Sequence, residues 1–88
     1  MKLVWTDQAW EEYLYWQEND RQILQRINEI IRDLRRNPFR GIGKPEPLKF
    51  ALAGWWSRRI TGEHRIVYRV NGQGDAQQLE IASCGYHY

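Results

Sequence analysis

Four residues in the second half of the chain could together cleave RNA if the fold brought them to one place. Glu46 is a carboxylate that could accept a proton, Arg59 and Arg65 are cations, and His87 titrates near neutral pH. Metal-free RNA cleavage needs a base for the ribose 2′-OH, cations for the phosphorane, and an acid for the departing 5′-oxygen. The residue types match that reaction, and the fold decides whether they meet.

Glu46 lies between two prolines, Pro45 and Pro47. Each proline fixes its own φ, and Pro47 disfavours the helical region for the residue before it. We therefore expect Glu46 on a stiff, extended backbone within a loop-like segment, residues 39–54. The local sequence by itself favours a simpler alternative, an exposed loop acid paired with Lys44.

The chain end carries His87 between Tyr86 and Tyr88. Chain ends usually lie at the surface, so His87 is a candidate general acid or base, and a frayed tail is the alternative. The single cysteine, Cys84, excludes an intramolecular disulfide, and one Cys with two His makes a structural zinc site implausible. No serine has an adjacent base, so nucleophilic catalysis is poorly supported.

The positive charge is concentrated in the middle of the chain. The total is +2, but residues 1–39 carry −1, residues 40–69 carry +5 and residues 70–88 carry −2. Ten arginines against three lysines favour phosphate recognition, because the guanidinium fork binds two oxygens at once. The pattern indicates an anionic partner, nucleic acid first, although a solvated basic surface would have the same composition.

The hydrophobic patterns predict an α+β fold in one domain, residues 1–88. They indicate a strand, two helices and then three strands, at residues 1–5, 6–18, 20–36, 55–60, 65–70 and 79–84. This order predicts an antiparallel sheet with both helices packed on one face. The longest nearly apolar run, residues 50–56, is far below the ~20 residues of a membrane span. With no export signal either, we expect a cytoplasmic protein with no membrane partner.

The register of the central hairpin decides where the arginines lie. A three-residue loop, residues 61–63, places Arg59 opposite Arg65 and separates an apolar face from a basic one, whereas a four-residue loop mixes both. We therefore predict an open basic face, opposite the helices, that also holds Arg69, with side chains spreading into water as the alternative. Arg58 falls on the helix side, and we expect it at the sheet margin, extended to solvent or paired with an acid.

Several ordered stretches together are similar to one known family. They are Lys44-Pro45-Glu46-Pro47-Leu48-Lys49, Gly54-Trp55-Trp56-Ser57-Arg58-Arg59-Ile60-Thr61, Glu63-His64-Arg65 and Tyr86-His87-Tyr88. The chain closely resembles the YoeB toxins of the RelE/ParE superfamily of type II toxin–antitoxin systems over essentially its whole length. The resemblance implies a microbial-ribonuclease-like fold and a toxin that cleaves mRNA in the ribosomal A site. It also implies a homodimer, neutralised by a YefM-like antitoxin whose disordered C-terminal part folds over the toxin.

The resemblance also implies a role for each residue of the site. Glu46 corresponds to the general base and His87 to the general acid, while Arg65 corresponds to the main phosphate and transition-state contact. Lys49 and Arg59 are implied as supporting cations, and Tyr88 orients the substrate or the imidazole. No metal or cofactor is implied.

Two non-enzymatic alternatives stay open at this point. A ParE-like toxin that binds and blocks DNA gyrase would share the fold without needing Glu46 and His87 to converge. A plain RNA-binding module would use arginines together with an exposed Trp55 for base stacking. Glu46 is evidence against binding alone, because an acid in a phosphate site weakens affinity unless it transfers a proton.

Overall fold

Two helices and a five-stranded sheet make up the computed structural model, which describes residues 1–85 of the chain. The helices are α1 (Asp7–Asn19) and α2 (Arg21–Arg36). The strands are β1 (Lys2–Trp5), β2 (Glu46–Pro47), β3 (Trp56–Arg59), β4 (Arg65–Asn71) and β5 (Gln78–Ser83), in the spatial order β1-β5-β4-β3-β2. Short 3₁₀ turns occupy Phe50–Leu52 and Gly74–Ala76. The predicted α+β class is confirmed.

Both helices begin after a capping residue, Thr6 for α1 and Asp20 for α2. The Thr6 hydroxyl accepts the Ala9 N–H at 3.1 Å, and the Asp20 carboxylate accepts the Ile23 N–H at 3.2 Å. Each bond satisfies one of the backbone donors that a helix N-terminus leaves unpaired. Arg35 and Arg36 lie in the last turn of α2, where positive charge suits the helix dipole.

One apolar core joins the helices to a single face of the sheet. Its buried members include Ile27, Ile30, Ile31 and Leu34 from α2, with Ile66, Tyr68, Leu79 and Ile81 from β4 and β5. The α2 residues recur at helical spacing and the strand residues alternate, so each element buries one side. The helices therefore do not cover the opposite face of the sheet.

The sheet is mixed, which corrects the prediction that it is antiparallel throughout. β1 pairs with β5 in parallel, with Lys2 opposite Gln78 and Trp5 opposite Ile81, whereas the other pairs are antiparallel. A parallel pair needs a long crossover connection, and the chain between β1 and β5 provides it. No local pattern in β1 encodes that direction.

The central hairpin has the predicted register. Arg59 lies opposite Arg65 and Trp56 lies opposite Tyr68, as the segregation of apolar and basic residues required. A further strand, β2, lies within the segment predicted to be a loop. It pairs Glu46 with Ser57 at the edge of the sheet, a position where a proline is tolerated.

None of the helices within residues 1–85 combines the length and the apolar composition needed to cross a bilayer.

Candidate active site

The loop that leads to Glu46 is fixed by the buried side chain of Arg58. Its guanidinium donates to the carbonyls of Asn37, Arg40 and Ile42 at 2.6, 2.8 and 3.2 Å, and to the Asp33 carboxylate at 2.5 Å. The side chain is wholly buried, so the predicted position at the sheet margin is wrong, while the predicted acidic partner is present. A buried charge needs this many partners because desolvation is otherwise too costly.

The pKa values of two groups that contact Arg58, the Asp33 carboxyl and the Tyr68 hydroxyl, are shifted in the fold. The hydrogen bond from Arg58 is the main cause that holds the pKa of the Asp33 carboxyl below its usual value. The Tyr68 hydroxyl donates to the Pro38 carbonyl at 2.7 Å and accepts from Arg58, and burial raises its pKa. Both groups therefore keep the charge state that the cluster needs at neutral pH.

A close backbone approach carries the loop onto the edge of β3. The Arg59 N–H donates to the Gly43 carbonyl at 2.6 Å, and Gly43 has a φ of +81°. A Cβ at Gly43 would lie 2.9 Å from the Arg59 carbonyl oxygen, so only glycine fits there. After Gly43, the prolines on either side of Glu46 restrict its backbone, and Glu46 enters β2 in the extended conformation that the sequence predicts.

Glu46 and Arg65 meet on the face of the sheet opposite the helices. Glu46 Oε1 lies 3.1 Å from Arg65 Nη1, and the same nitrogen lies 3.5 Å from Ser57 Oγ. The carboxylate side chain is 54% exposed and the arginine side chain 19% exposed. A carboxylate and a guanidinium thus share one solvent-accessible position, and Glu46 pairs with Arg65 rather than making the casual Lys44 contact.

The remaining predicted cations differ in their exposure and in whether a neighbouring acid offsets their charge. Arg59 is exposed and lies on the strand next to Arg65, and Lys49 is exposed in the segment after β2. Arg69, in contrast, donates to Glu80 at 2.9 Å and lies 4.3 Å above the Trp55 ring. Its charge is offset, so Arg59 and Lys49 are the better candidates for an anion beside Arg65.

The basic face is less open than predicted. Ser57 is fully buried and Val67 is 4% exposed, although both lie on this face. Arg65 lies across Ser57 and contributes to that cover. The accessible charged groups on this face include Glu46 and Arg59 near β2, and Arg69, whose side chain is 41% exposed but paired with Glu80.

Hydrogen bonds join the last described residues to α1 and to the backbone of Arg65. The Cys84 N–H donates to Glu12 at 2.9 Å, the Cys84 carbonyl accepts from the Trp16 indole at 2.8 Å, and the Gly85 carbonyl accepts the Arg65 N–H at 2.8 Å. Burial raises the pKa of the Cys84 thiol to about 12, so the thiol is protonated at neutral pH and is no nucleophile. His87 and Tyr88 lie outside the described residues.

Comparison with known proteins places the chain in a family. The model for the "YoeB-like toxin of bacterial type II toxin-antitoxin system" matches residues 5–88. Toxin YoeB of Escherichia coli O6:H1 is 59% identical over 88 residues, which cover all of both chains. The chain belongs to the YoeB-like toxin family. The resemblance in its sequence is thereby confirmed.

Solved structures of YoeB proteins share the fold. The YoeB/ParE toxin from Agrobacterium tumefaciens superposes with a TM-score of 0.96 at 56% identity, over the full length of both chains. A YoeB dimer from Staphylococcus aureus superposes with a TM-score of 0.88 at 45% identity, covering 100% of this chain and 98% of that one. The Staphylococcus aureus protein is also known in a YoeB-YefM complex.

Sequence reasoning misplaced one residue of this YoeB-like site and missed another. Arg58 was expected at a margin, although its position on the apolar face of β3 already indicated burial. Phe50 was not singled out at all, yet it is 91% exposed at a positive φ of 59° directly after Lys49. An aromatic residue in a segment rich in proline and glycine was the signal available.

Proposed function

We propose that this chain is a ribosome-dependent endoribonuclease toxin that cleaves mRNA in the A site and so inhibits translation in the cytoplasm. The observation that carries the proposal is the 3.1 Å contact between Glu46 and Arg65 on an accessible sheet face. Membership of the YoeB-like family supports it. The chain would act as a single catalytic domain.

In the proposed reaction, Glu46 removes the proton from a ribose 2′-OH and the resulting oxygen attacks the adjacent phosphorus. Arg65, with Arg59 and Lys49, stabilises the negative charge that develops on the phosphorane oxygens. The bond from phosphorus to the 5′-oxygen then breaks, and His87 supplies the proton to that oxygen. The products are a 2′,3′-cyclic phosphate and a 5′-hydroxyl end.

The length of the chain end is compatible with His87 as the acid. Gly85 is hydrogen-bonded to the Arg65 backbone, and two further residues span at most about 7 Å. The chain end therefore starts from the backbone of the residue whose guanidinium binds Glu46. We assign Tyr88 the role of orienting the substrate or the imidazole.

Two partners belong to the proposal. A YefM-like antitoxin would neutralise the toxin, and two copies of the chain would form a homodimer. The structures of a YoeB-YefM complex and a YoeB dimer from Staphylococcus aureus support both. The ribosome carrying mRNA is the third partner.

The test is primer extension on translating ribosomes with the unaltered protein, Glu46→Gln and His87→Gln. Each substitution removes one proton-transfer group, so we expect each to slow cleavage by about 10²–10⁴-fold. The control is Glu18→Gln, which removes an exposed carboxylate on α1 and should cleave normally. Retained cleavage in both test variants would exclude the acid–base assignment.

The same preparation separates the proposal from the gyrase alternative. Breaks in phase with codons support the nuclease. Inhibition of DNA supercoiling without any mRNA cleavage would favour a ParE-like toxin instead.

A further inference from the structure

Phe50 is an aromatic side chain displayed almost entirely to solvent. It is 91% exposed, compared with 56% for Tyr15, 48% for Phe39 and 45% for Trp10. Those three rings each pack on another aromatic ring, as Phe39 does on Trp56 with ring centroids 4.9 Å apart. Phe50 therefore gains little from burial in the described fold, and its exposure needs another explanation.

The backbone at Phe50 adopts a conformation that suits glycine better. Its φ of +59° lies in the left-handed region, which is costly for a residue with a Cβ. The flanking hydrogen bonds hold it there: the Lys49 carbonyl accepts from Leu52 at 3.1 Å and the Phe50 carbonyl accepts from Ala53 at 3.0 Å. Strain of this kind at an exposed aromatic points to function rather than to stability.

Phe50 also lines the same groove as the proposed general base. Residues 46–52 line one groove of about 470 Å³, which includes Glu46, Lys49 and Phe50. That volume lies within the range of small-ligand pockets. The groove thus combines the proposed base, a cation and a flat apolar surface.

We propose that Phe50 is a stacking platform for one base of the codon being cleaved, an inference that rests on the proposed function. A nucleic-acid strand offers a phosphate for Lys49 and a base for the ring, which matches the neighbouring cation and aromatic. Stacking would hold the ribose next to Glu46 and fix which phosphate is attacked. Phe50 is then a positioning residue for the substrate.

The test measures single-turnover mRNA cleavage on programmed ribosomes with Phe50→Ala, Phe50→Leu and Phe50→Trp. Alanine and leucine should raise the half-saturating toxin concentration by about 5- to 100-fold, with less than about 3-fold change in the rate at saturation. Tryptophan should retain wild-type behaviour because it keeps a planar ring. Trp10→Ala, which removes an exposed aromatic from α1, is the control for general effects.

A second arm places an abasic nucleotide at each codon position in turn. At the position where the ring stacks, Phe50→Ala and the unaltered protein should have about the same half-saturating concentration, a ratio of about 1. A difference that is equal at all three positions would overturn the inference. So would a leucine variant that behaves like the wild type, since that result indicates apolar burial rather than stacking.

Other outcomes separate this inference from the proposed function. Normal cleavage by Phe50→Ala would overturn the inference alone, and weaker binding of a YefM-like antitoxin by that variant would then assign the ring to a protein partner. Absence of cleavage by the unaltered protein would overturn the proposed function and, with it, this inference.

Discussion

The ion pair between Arg65 and Glu46 contributes little to the stability of the fold. Half of the Glu46 side chain is exposed, and pairs of this kind are typically worth about 0–1 kcal/mol. Arg59 lies directly opposite Arg65 on the next strand, and like charges placed there are destabilising. The residues therefore form an arrangement that an anion would complete, as the proposed phosphorane does.

At this scale we predict that Arg65→Ala slows the chemical step more than it weakens binding. Loss of a guanidinium that stabilises the transition state should lower the single-turnover rate by about 10²–10³-fold, with less than about 10-fold change in half-saturating concentration. Arg65→Lys should restore part of the rate, because it keeps the charge but not the fork.

The control for this prediction is Arg69→Ala. Arg69 lies four residues further along the same strand, but Glu80 and Trp55 occupy its guanidinium. We expect less than about 3-fold loss of rate. Equal effects of Arg65→Ala on rate and on binding would instead make Arg65 a docking residue.

At the scale of elements, the loop between α2 and β2 depends on Arg58. Besides the Phe39 ring, which packs on Trp56, the loop contributes backbone carbonyls to its contact with the sheet, and one guanidinium binds three of them. The loop in turn sets the path of the chain into β2 and hence the position of Glu46. A buried charge on the helix side of the sheet thus supports the candidate site on the other face.

We predict that Arg58→Met lowers the free energy of unfolding by about 3–5 kcal/mol. The substitution leaves the Asp33 carboxylate and the loop carbonyls without their buried donor, which is the costly way to break such a pair. Urea unfolding followed by circular dichroism measures the change. Arg59→Met, at the exposed neighbouring position, should change the same quantity by less than about 0.5 kcal/mol. A loss below about 1 kcal/mol in Arg58→Met would contradict the role assigned to this side chain.

The elements also show how far sequence alone can predict this structure. The helices, their caps and the register of the β3–β4 hairpin were predictable, because capping residues and the separation of apolar from basic faces are local patterns. β2 and the parallel pairing of β1 were not, since a two-residue edge strand has no periodicity and the direction of β1 depends on a distant partner. The position of Arg58 on the apolar face of β3 indicated burial, but its carbonyl partners come from a loop whose path no local pattern specifies.

For the candidate site, the sequence predicted the extended backbone of Glu46, whereas its place beside Arg59 and Arg65 was a condition of the chemistry and an implication of the family resemblance. The actual Glu46–Arg65 contact required coordinates, because it depends on where β2 joins the sheet. The offset charge of Arg69 also required them, as Glu80 belongs to another strand. The roles of His87 and Tyr88 stay predictions.

At the scale of the whole molecule, the two faces of the sheet have different uses. The helices and the apolar core cover one face, and the other presents the Glu46–Arg65 pair near the end of the described chain. Two hydrogen bonds join Cys84 to Glu12 and Trp16 of α1, and a third joins the Gly85 carbonyl to the backbone N–H of Arg65. The fold thus brings the start of β2, the start of β4 and the end of β5 to one region.

The most direct test of this account uses the substrate itself. Its central claim is that the ribose 2′-OH, deprotonated by Glu46, attacks the neighbouring phosphorus. We would program ribosomes with an mRNA that carries a single 2′-deoxy nucleotide at the mapped cleavage position and identify the ends by mass spectrometry. We predict that the all-ribose mRNA gives a 2′,3′-cyclic phosphate and a 5′-hydroxyl, and that the deoxy substitution blocks cleavage there. Cleavage of the deoxy mRNA at that position, or ends carrying a 5′-phosphate, would contradict the claim.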